Sequence, residues 1–369
     1  MSPSLTSTQL VRALYAMMCL VSFMLSACDG KTAPSSEPST ASLPEKSSDT
    51  PSAPPPGTEV PQTPPDTSPP PIPPESAPPQ TPLPPPPPPV LPPPPELVGQ
   101  WSAVLTSPIV QVHLNLLPNG KVLSWGGPVS EVPYTYIWDP ATGTFTEKQT
   151  PSELFCAGHS FLPDGRLFVT GGHIMEAMGL PNTNVFDPVT GTWEELPVMA
   201  QGRWYPSNIT LPNGDVLTVA GTDETGENVL IPEVWDGSEW RALPRAALGL
   251  PYYPRMFVAP DGLVFYAGEE QQSLYLSVRG KGKWTYGPMR KFGVRDYGSA
   301  VMYEPGKILY AGGGDPPTST AEIIDLNEPE PAWNYTGNME SARRHLNATL
   351  LPTGEVLVTG GTSASGFND

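Results

Sequence analysis

The amino-acid sequence predicts an all-β fold of the propeller type, and three observations carry this prediction. A turn signature with an early proline and a final glycine recurs six times, at intervals of 44 to 49 residues. Short apolar segments flank the turns, and the second of them usually ends in Gly-Gly. A later segment of the first five repeats carries an aromatic residue. Four strands per repeat at this period are typical of propeller blades, whereas the alternative, a β-sandwich, lacks so long a period.

The turns suit tight reversals between antiparallel strands, because proline fixes one backbone torsion and glycine tolerates a positive φ. The six turns are Leu117–Gly120, Leu162–Gly165, Leu211–Gly214, Ala259–Gly262, Glu304–Gly306 and Leu351–Gly354. The late aromatic residues are Phe145, Trp193, Trp240, Trp284 and Trp333. Together with the Gly-Gly pairs, this arrangement predicts blades of the kelch type.

The repeats predict a propeller domain over residues 97–369, with five complete blades and half of a sixth. The sixth repeat ends after its second strand, shortly before Asp369. Propellers protect their strand edges by letting the first and last blades meet. We therefore expect an open edge here, which another segment would have to cover to complete the ring.

Residues 1–27 have the pattern of a bacterial lipoprotein signal peptide. The apolar run Ala13–Leu25 is too short to cross a hydrocarbon core of roughly 30 Å as a helix. It leads into Leu25-Ser26-Ala27-Cys28, which is similar to a lipobox. We expect Cys28 to be lipidated and to anchor an exported protein of the bacterial cell envelope to a membrane. The alternative is an ordinary signal peptide cleaved near Ala27.

Composition separates a linker from the propeller and excludes one class of partner. Most of the 53 prolines lie before residue 97, and residues 28–96 contain little besides Pro, Ser and Thr. Such a segment has too few apolar residues to fold, so we expect a disordered stalk that spaces the propeller from the membrane. The chain carries 19 Lys and Arg against 37 Asp and Glu, a net charge of −18. This charge opposes binding of nucleic acid, which requires a basic surface.

Equivalent residues of successive blades lie side by side around a propeller axis, so a common offset from the turn marks one rim. Seven residues before the turn proline, the sequence has Gln111, Cys156, Tyr205, Tyr253, Gly298 and His345. Cys156 falls one blade before Tyr205 and has no cysteine left to pair with in a mature exported chain. We therefore expect the side chains of Cys156 and Tyr205 to touch. The alternative buries Cys156 between sheets against Trp193, with Tyr205 pointing to solvent.

Two segments at this rim resemble paired motifs of the galactose oxidase and glyoxal oxidase family of copper-radical oxidases. They are Phe155-Cys156-Ala157-Gly158-His159 and Gly202-Arg203-Trp204-Tyr205-Pro206. The resemblance implies a thioether between Cys156 and Tyr205, with Tyr205 as both a copper ligand and the site of a radical. It also implies a seven-bladed propeller and copper as cofactor. The implied reaction is oxidation of a small-molecule alcohol, aldehyde or carbohydrate by O2, which yields H2O2.

Other residues extend this hypothesis or depart from the family pattern. Tyr253, Arg255 and His345 are candidates for substrate binding. Of the two tyrosine and two histidine copper ligands that the resemblance implies, the sequence matches only Tyr205. The tryptophan that covers the linked tyrosine in galactose oxidase has no counterpart in residues 220–224. We therefore expect the chain to be inactive as an oxidase by itself. The alternative function is that of a non-catalytic kelch propeller, a cell-surface binding or scaffold module.

Overall fold

The computed structural model describes residues 99–127 and 133–367. The predicted signal peptide and linker, residues 1–27 and 28–96, lie outside the described residues. The described part is all-β, without an α-helix, and its one helical segment is a 3-10 turn at Pro244–Ala246. No helix in this part of the chain has the length and apolar character needed to cross a membrane.

Five successive sheets are four-stranded antiparallel meanders. The first contains β1 (His113–Leu116), β2 (Val122–Trp125), β3 (Tyr134–Asp139) and β4 (Thr144–Gln149). The second begins with β5 (Gly158–Phe161) and β6 (Leu167–Thr170). A separate hairpin follows, formed by β7 (His173–Met175) and β8 (Met178–Gly179). The second sheet is then completed by β9 (Thr183–Asp187) and β10 (Thr192–Leu196).

The remaining sheets repeat the same plan. The third contains β11 (Ser207–Thr210), β12 (Val216–Val219), β13 (Glu233–Trp235) and β14 (Trp240–Ala242). The fourth contains β15 (Met256–Val258), β16 (Val264–Tyr266), β17 (Gln272–Ser277) and β18 (Lys283–Met289). The fifth contains β19 (Ser299–Glu304), β20 (Lys307–Ala311), β21 (Ala321–Asp325) and β22 (Asn334–Tyr335). A final pair, β23 (Arg344–Leu350) and β24 (Val356–Thr362), forms half a blade, which confirms the predicted blade count.

The first strands of successive sheets lie next to one another, as the inner strands of a propeller do. β5 contacts β11, β11 contacts β15, and β19 contacts β23. Hydrogen bonds join these strands: the Thr210 hydroxyl donates to the Phe161 carbonyl at 2.6 Å, and the Asn208 amide donates to the Gly158 carbonyl at 3.1 Å. The predicted all-β, kelch-type propeller is therefore confirmed.

The hydrophobic core lies between successive sheets, because side chains alternate along each second strand. On β6, Leu167 and Val169 pack against the first sheet, while Phe168 packs against the third. On β12, Val216 faces the second sheet and Leu217 faces the fourth. The second strands of the second to fifth sheets thus each contribute to two apolar clusters, and these four blades depend on both of their neighbours.

One face of the first sheet is not covered by any described residue. Along β1, His113 and Asn115 are buried, whereas Leu114 and Leu116 are 54% and 69% exposed. The alternation is that of a strand with a single partner sheet. Among the described residues, only the other face of this sheet packs against a second sheet.

Buried ion pairs tie two of the loops that precede a first strand to their own sheets. Arg203 donates to Glu233 at 2.9 Å and to the carbonyls of Ala220 and Ile231, each at 2.8 Å. In the fifth sheet an equivalent pair joins Arg295 to Glu322 at 2.8 Å. Because these guanidinium groups lie away from water, each needs its carboxylate as a partner.

Replacement of Glu233 by Gln should lower the free energy of unfolding by about 3–5 kcal/mol, because it leaves the Arg203 charge buried without a counter-charge. The free energy of unfolding would be measured by denaturation with guanidinium chloride, monitored by far-ultraviolet circular dichroism. Asp164→Asn is the matched control, because Asp164 forms an exposed pair with Arg166 and should change stability by less than about 1 kcal/mol. Equal losses of stability in Glu233→Gln and Asp164→Asn would contradict the conclusion that the buried pair stabilises the fold more than the exposed one.

Candidate active site

The loops that precede the first strands place one residue each in the left-handed backbone region. These residues are Cys156 (φ 64°), Tyr205 (64°), Tyr253 (47°), Tyr297 (52°) and His345 (57°). Each lies nine residues before the turn glycine of its blade. A non-glycine residue in this region costs about 1–2 kcal/mol, so five at equivalent positions indicate a shared structural requirement.

Hydrogen bonds between blades meet that requirement. The amide of Tyr205 donates to the carbonyl of Cys156 at 2.8 Å, and the amide of Tyr253 donates to that of Tyr205 at 2.9 Å. His345 donates to Tyr297 in the same way, at 2.9 Å. The amides of Tyr205, Tyr253 and His345 thus point towards the preceding blade, and the five left-handed residues occupy equivalent positions along one rim. We call this set of five the rim residues.

The structure corrects one of the predicted rim positions. Counting from the turn proline selected Gly298, but the left-handed residue of the fifth blade is Tyr297. The fifth turn is one residue shorter than the others, with proline directly before Gly306, and a register shift interrupts the pairing of β19 with β20. Counting from the glycine restores the register, because the glycine occupies the same point of each turn.

Cys156 and Tyr205 lie together, as the sequence predicts. The amide of Tyr205 donates to the carbonyl of Cys156 at 2.8 Å, the thiol and the phenol are near enough for each to affect the pKa of the other, and Cys156 is only 1% exposed. Burial raises the pKa of the Cys156 thiol and also that of the Tyr205 phenol. Both groups are therefore protonated near neutral pH. The expected alternative, with Tyr205 turned away to solvent, is wrong.

Aromatic rings surround the Tyr205 phenol. Trp204 stacks on it with ring centroids 3.8 Å apart and planes 7° apart, and Tyr253 stacks on it at 4.7 Å. The described residues show no ring contact between Trp204 and Tyr253, so these two rings lie on different faces of Tyr205. Tyr252 meets both Trp204 and Tyr205 edge-on, each at 5.2 Å. Aromatic neighbours of this kind exclude water from the phenol ring.

Sequence reasoning missed the role of Trp204. The search for a covering tryptophan concerned residues 220–224, which follow the next Gly-Gly, whereas the indole comes from the residue directly before Tyr205. The signal was Trp204 itself, which stands beside Tyr205 in the same motif. Side chains of adjacent residues usually point apart, but the left-handed backbone of Tyr205 brings these two rings parallel.

His173 holds Trp204 in place through a hydrogen bond to its indole. The indole Nε1–H donates to the imidazole Nδ1 at 3.1 Å, and Phe155 packs against the imidazole at 5.3 Å. Nδ1 must be unprotonated to accept this bond. Burial lowers the pKa of His173, which favours the neutral ring.

Two further histidines support Cys156 from below the rim. The amide of Cys156 donates to His113 Nε2 at 3.3 Å, and His113 Nδ1 lies 3.4 Å from His159 Nε2. Burial lowers the pKa of His113 to about 3 and that of His159 to about 4, so both rings are neutral. His113 thus satisfies the buried amide of Cys156, a residue with a strained backbone, and His159 in turn contacts His113.

A cavity of about 420 Å³ opens beside Tyr205. Its lining comes from the third, fourth and fifth blades: Tyr205, Asn228, Leu250, Pro251, Tyr252, Tyr253, Pro254, Arg255, Glu269, Tyr297 and Tyr310. Tyr253 and Arg255, two of the predicted substrate-binding residues, are therefore brought to Tyr205. The third, His345, is not in this lining and packs instead against Tyr297 and Phe367. Volume and mixed lining are those of a small-molecule site.

Fold and site together define a kelch-type propeller with a buried thiol–phenol pair beside a small-molecule cavity. No family model matches the chain. It is 30% identical over 305 residues to a galactose oxidase from Gibberella zeae, which covers 72% of this chain and 44% of that protein. It is 26% identical over 298 residues to the aldehyde oxidase GLOX from Vitis pseudoreticulata, with coverage of 68% and 54%.

A solved structure gives the same result. A fungal alcohol oxidase of the AA5 family, in complex with copper, matches with a TM-score of 0.63 and 26% identity, over 72% of this chain and 61% of that one. The chain spans about half the length of the curated relatives named above. It belongs to the galactose oxidase and glyoxal oxidase-like family.

Replacement of His173 by Leu should release the indole of Trp204 and expose the Tyr205 ring. Loss of one hydrogen bond of about 1 kcal/mol shifts the balance between covered and uncovered states about fivefold. Hydroxyl-radical footprinting with mass spectrometry should therefore detect about fivefold more oxidation of Tyr205. His173→Asn is the matched control, since its amide oxygen can take the place of Nδ1 and should preserve protection. Unchanged oxidation in the Leu variant would show that the hydrogen bond does not hold the stack.

Proposed function

We propose that Cys156 and Tyr205 form the thioether-linked redox cofactor of an oxidase, and that the adjoining cavity binds its substrate. The proposed reaction converts a primary alcohol or an aldehyde with O2 and releases H2O2. One observation carries the proposal: the buried thiol lies beside a phenol that itself lines the cavity. The relatives, a galactose oxidase and an aldehyde oxidase by name, support the same reaction class.

The environment of Tyr205 suits one-electron chemistry on a phenol. A sulfur substituent on the ring makes the phenol easier to oxidise. The stacked rings of Trp204 and Tyr253 keep water and other reactants away from the ring faces. Burial of Cys156 keeps its thiol protonated and protects it from competing alkylation or disulfide exchange.

Copper would be the metal partner of this cofactor, and the described residues fit only part of a copper site. The Tyr205 oxygen is a suitable donor beside the cavity. Among residues 99–127 and 133–367, however, no group of three or more His, Cys, Asp or Glu side chains is arranged to hold a metal. His113, His159 and His173 are engaged with one another or with Trp204. We therefore assign no step to a metal, and expect no sustained H2O2 production from residues 99–367 by themselves.

A photochemical one-electron oxidant added to the full chain should produce a Cys156–Tyr205 thioether. Two oxidation events remove two electrons and two protons, one hydrogen coming from the thiol and one from the ring, and a carbon–sulfur bond replaces them. The contact of the two side chains makes this bond the favoured product. Peptide mass spectrometry should reveal a linked pair of peptides that has lost two hydrogen atoms.

Cys156→Ser and Tyr205→Phe should each abolish the linked peptides. Tyr286→Phe is the control, because Tyr286 is 84% exposed and lies outside the rim. Absence of the thioether in the unaltered chain, with Tyr205 oxidised but unlinked, would contradict the proposed cofactor. That outcome would favour a non-catalytic binding module instead.

We also propose that Cys28 is the lipid anchor of an exported envelope protein, on the strength of its lipobox-like sequence. In a bacterial host supplied with a labelled fatty acid, the unaltered protein should carry label and sediment with membranes. Cys28→Ser should lose both properties, because no other cysteine follows the apolar run at that distance. Cys156→Ser is the control and should keep both. Label retained in the Cys28→Ser variant would exclude this anchor.

A further inference from the structure

Three aromatic rings contact the Tyr205 phenol within the part of the chain that the structure describes, and they differ in exposure. Trp204 is buried, at 5% exposed, and Tyr253 is half-buried. Tyr252 is 39% exposed, and its ring meets both Tyr205 and Trp204 edge-on with centroids 5.2 Å apart. Tyr252 is therefore the most exposed ring in direct contact with Tyr205.

The backbone fixes Tyr252 in this position. Its neighbour Tyr253 donates its amide to the Tyr205 carbonyl at 2.9 Å, which ties the loop of Tyr252 to that of Tyr205. Pro251 and Pro254 flank the two tyrosines, and each proline restricts its own backbone and that of the residue before it. The contact between Tyr252 and Tyr205 is thus supported by both loops.

The half-buried ring, Tyr253, leads into the core instead of to solvent. It contacts His113 at a centroid distance of 6.3 Å, and His113 stacks on Trp125 at 5.0 Å. His113 and Trp125 are 7% and 1% exposed, so an oxidant in solution cannot reach them. An imidazole is also much harder to oxidise than a phenol. The route from Tyr205 to solvent therefore passes through Tyr252.

We propose that Tyr252 is an electron relay between Tyr205 and a one-electron oxidant too large to enter the cavity, such as a bulky metal complex. The inference rests on the proposed function, because it treats Tyr205 as the redox-active phenol. Tyr252 gives one electron to the oxidant and its phenolic proton to water. It then takes an electron from Tyr205 and a proton from water, while Tyr205 releases its own proton to water. The sum is the loss of one electron and one proton from Tyr205, and the relay is restored.

The size of the oxidant distinguishes the relay from direct attack. Tyr205 itself lines the cavity of about 420 Å³, so a small oxidant can reach its phenol directly. A large oxidant is excluded from the cavity and meets the exposed ring of Tyr252, which lines the same cavity. Only the large oxidant should therefore depend on Tyr252.

The test oxidises the full chain with either of two reagents and measures the Cys156–Tyr205 thioether by peptide mass spectrometry. One reagent is a photoexcited ruthenium polypyridyl complex grafted to dextran, and the other is the azide radical, which is small enough to enter the cavity. With the grafted complex, Tyr252→Phe should lower the thioether yield about tenfold, because a phenyl ring is much harder to oxidise and rates fall exponentially with the barrier. With the azide radical, the same change should alter the yield by less than about twofold. Tyr252→Trp should restore the yield with the grafted complex, because an indole is readily oxidised.

Tyr335→Phe is the matched control and should leave the yield unchanged with either reagent. Tyr335 is 49% exposed and lies outside the cavity, and the ring contacts that the described residues make with Tyr205 do not include it. An unchanged yield in Tyr252→Phe with the grafted complex would overturn the proposal. An equal fall with both reagents would also overturn it, since Tyr252 would then position Tyr205 without carrying an electron.

A second measurement separates the relay from the thioether. In a Cys156→Ser chain, which cannot form the thioether, a nitroso spin trap should mark the radical on Tyr205, and mass spectrometry would locate the adduct. Adding Tyr252→Phe should lower this labelling about tenfold with the grafted complex. Equal labelling with and without that change would overturn the relay. Labelling that depends on Tyr252, in a protein whose unaltered form makes no thioether, would support the relay and remove the proposed cofactor.

Discussion

The structure depends on a chain of backbone hydrogen bonds between blades, made by residues in the left-handed conformation. Each bond requires a positive φ at the donor, and each positive φ costs about 1–2 kcal/mol. The conformation persists because it turns an amide towards the carbonyl of the preceding blade, as between Tyr205 and Cys156. The same geometry brings side chains from separate blades onto one rim. The strain and the site therefore have a common origin.

Buried polar groups hold this rim in position. Arg203 and Arg295 fix the loops that precede two of the rim residues by pairing with carboxylates on the third strands of their own sheets. Arg255 spans a place where the backbone chain is interrupted, and His113 satisfies the amide of Cys156. The apolar clusters between sheets supply the bulk of the packing, but these polar contacts decide where the rim side chains lie.

The site combines a protected redox pair with an accessible cavity. On one side of Tyr205 the ring of Trp204, fixed by His173, limits access. Tyr205 also borders a cavity with tyrosine walls, lined by Arg255 and Glu269 as well. A radical on a phenol needs protection from solvent, and a substrate needs an accessible cavity. Both follow from residues of the second to fifth blades that meet beside Tyr205.

The sequence by itself determined the period, the number of blades and the adjacency of Cys156 and Tyr205, because a repeat fixes equivalent positions wherever its spacing is regular. It misplaced the fifth rim residue. Because the fifth turn is shorter by one residue, counting from its proline selects Gly298 in place of Tyr297. Only the tertiary structure decided that Trp204 covers Tyr205, that His173 holds Trp204, and that Arg255 and Glu269 line the same cavity. These facts depend on side-chain directions and on contacts between blades, which periodicity does not encode.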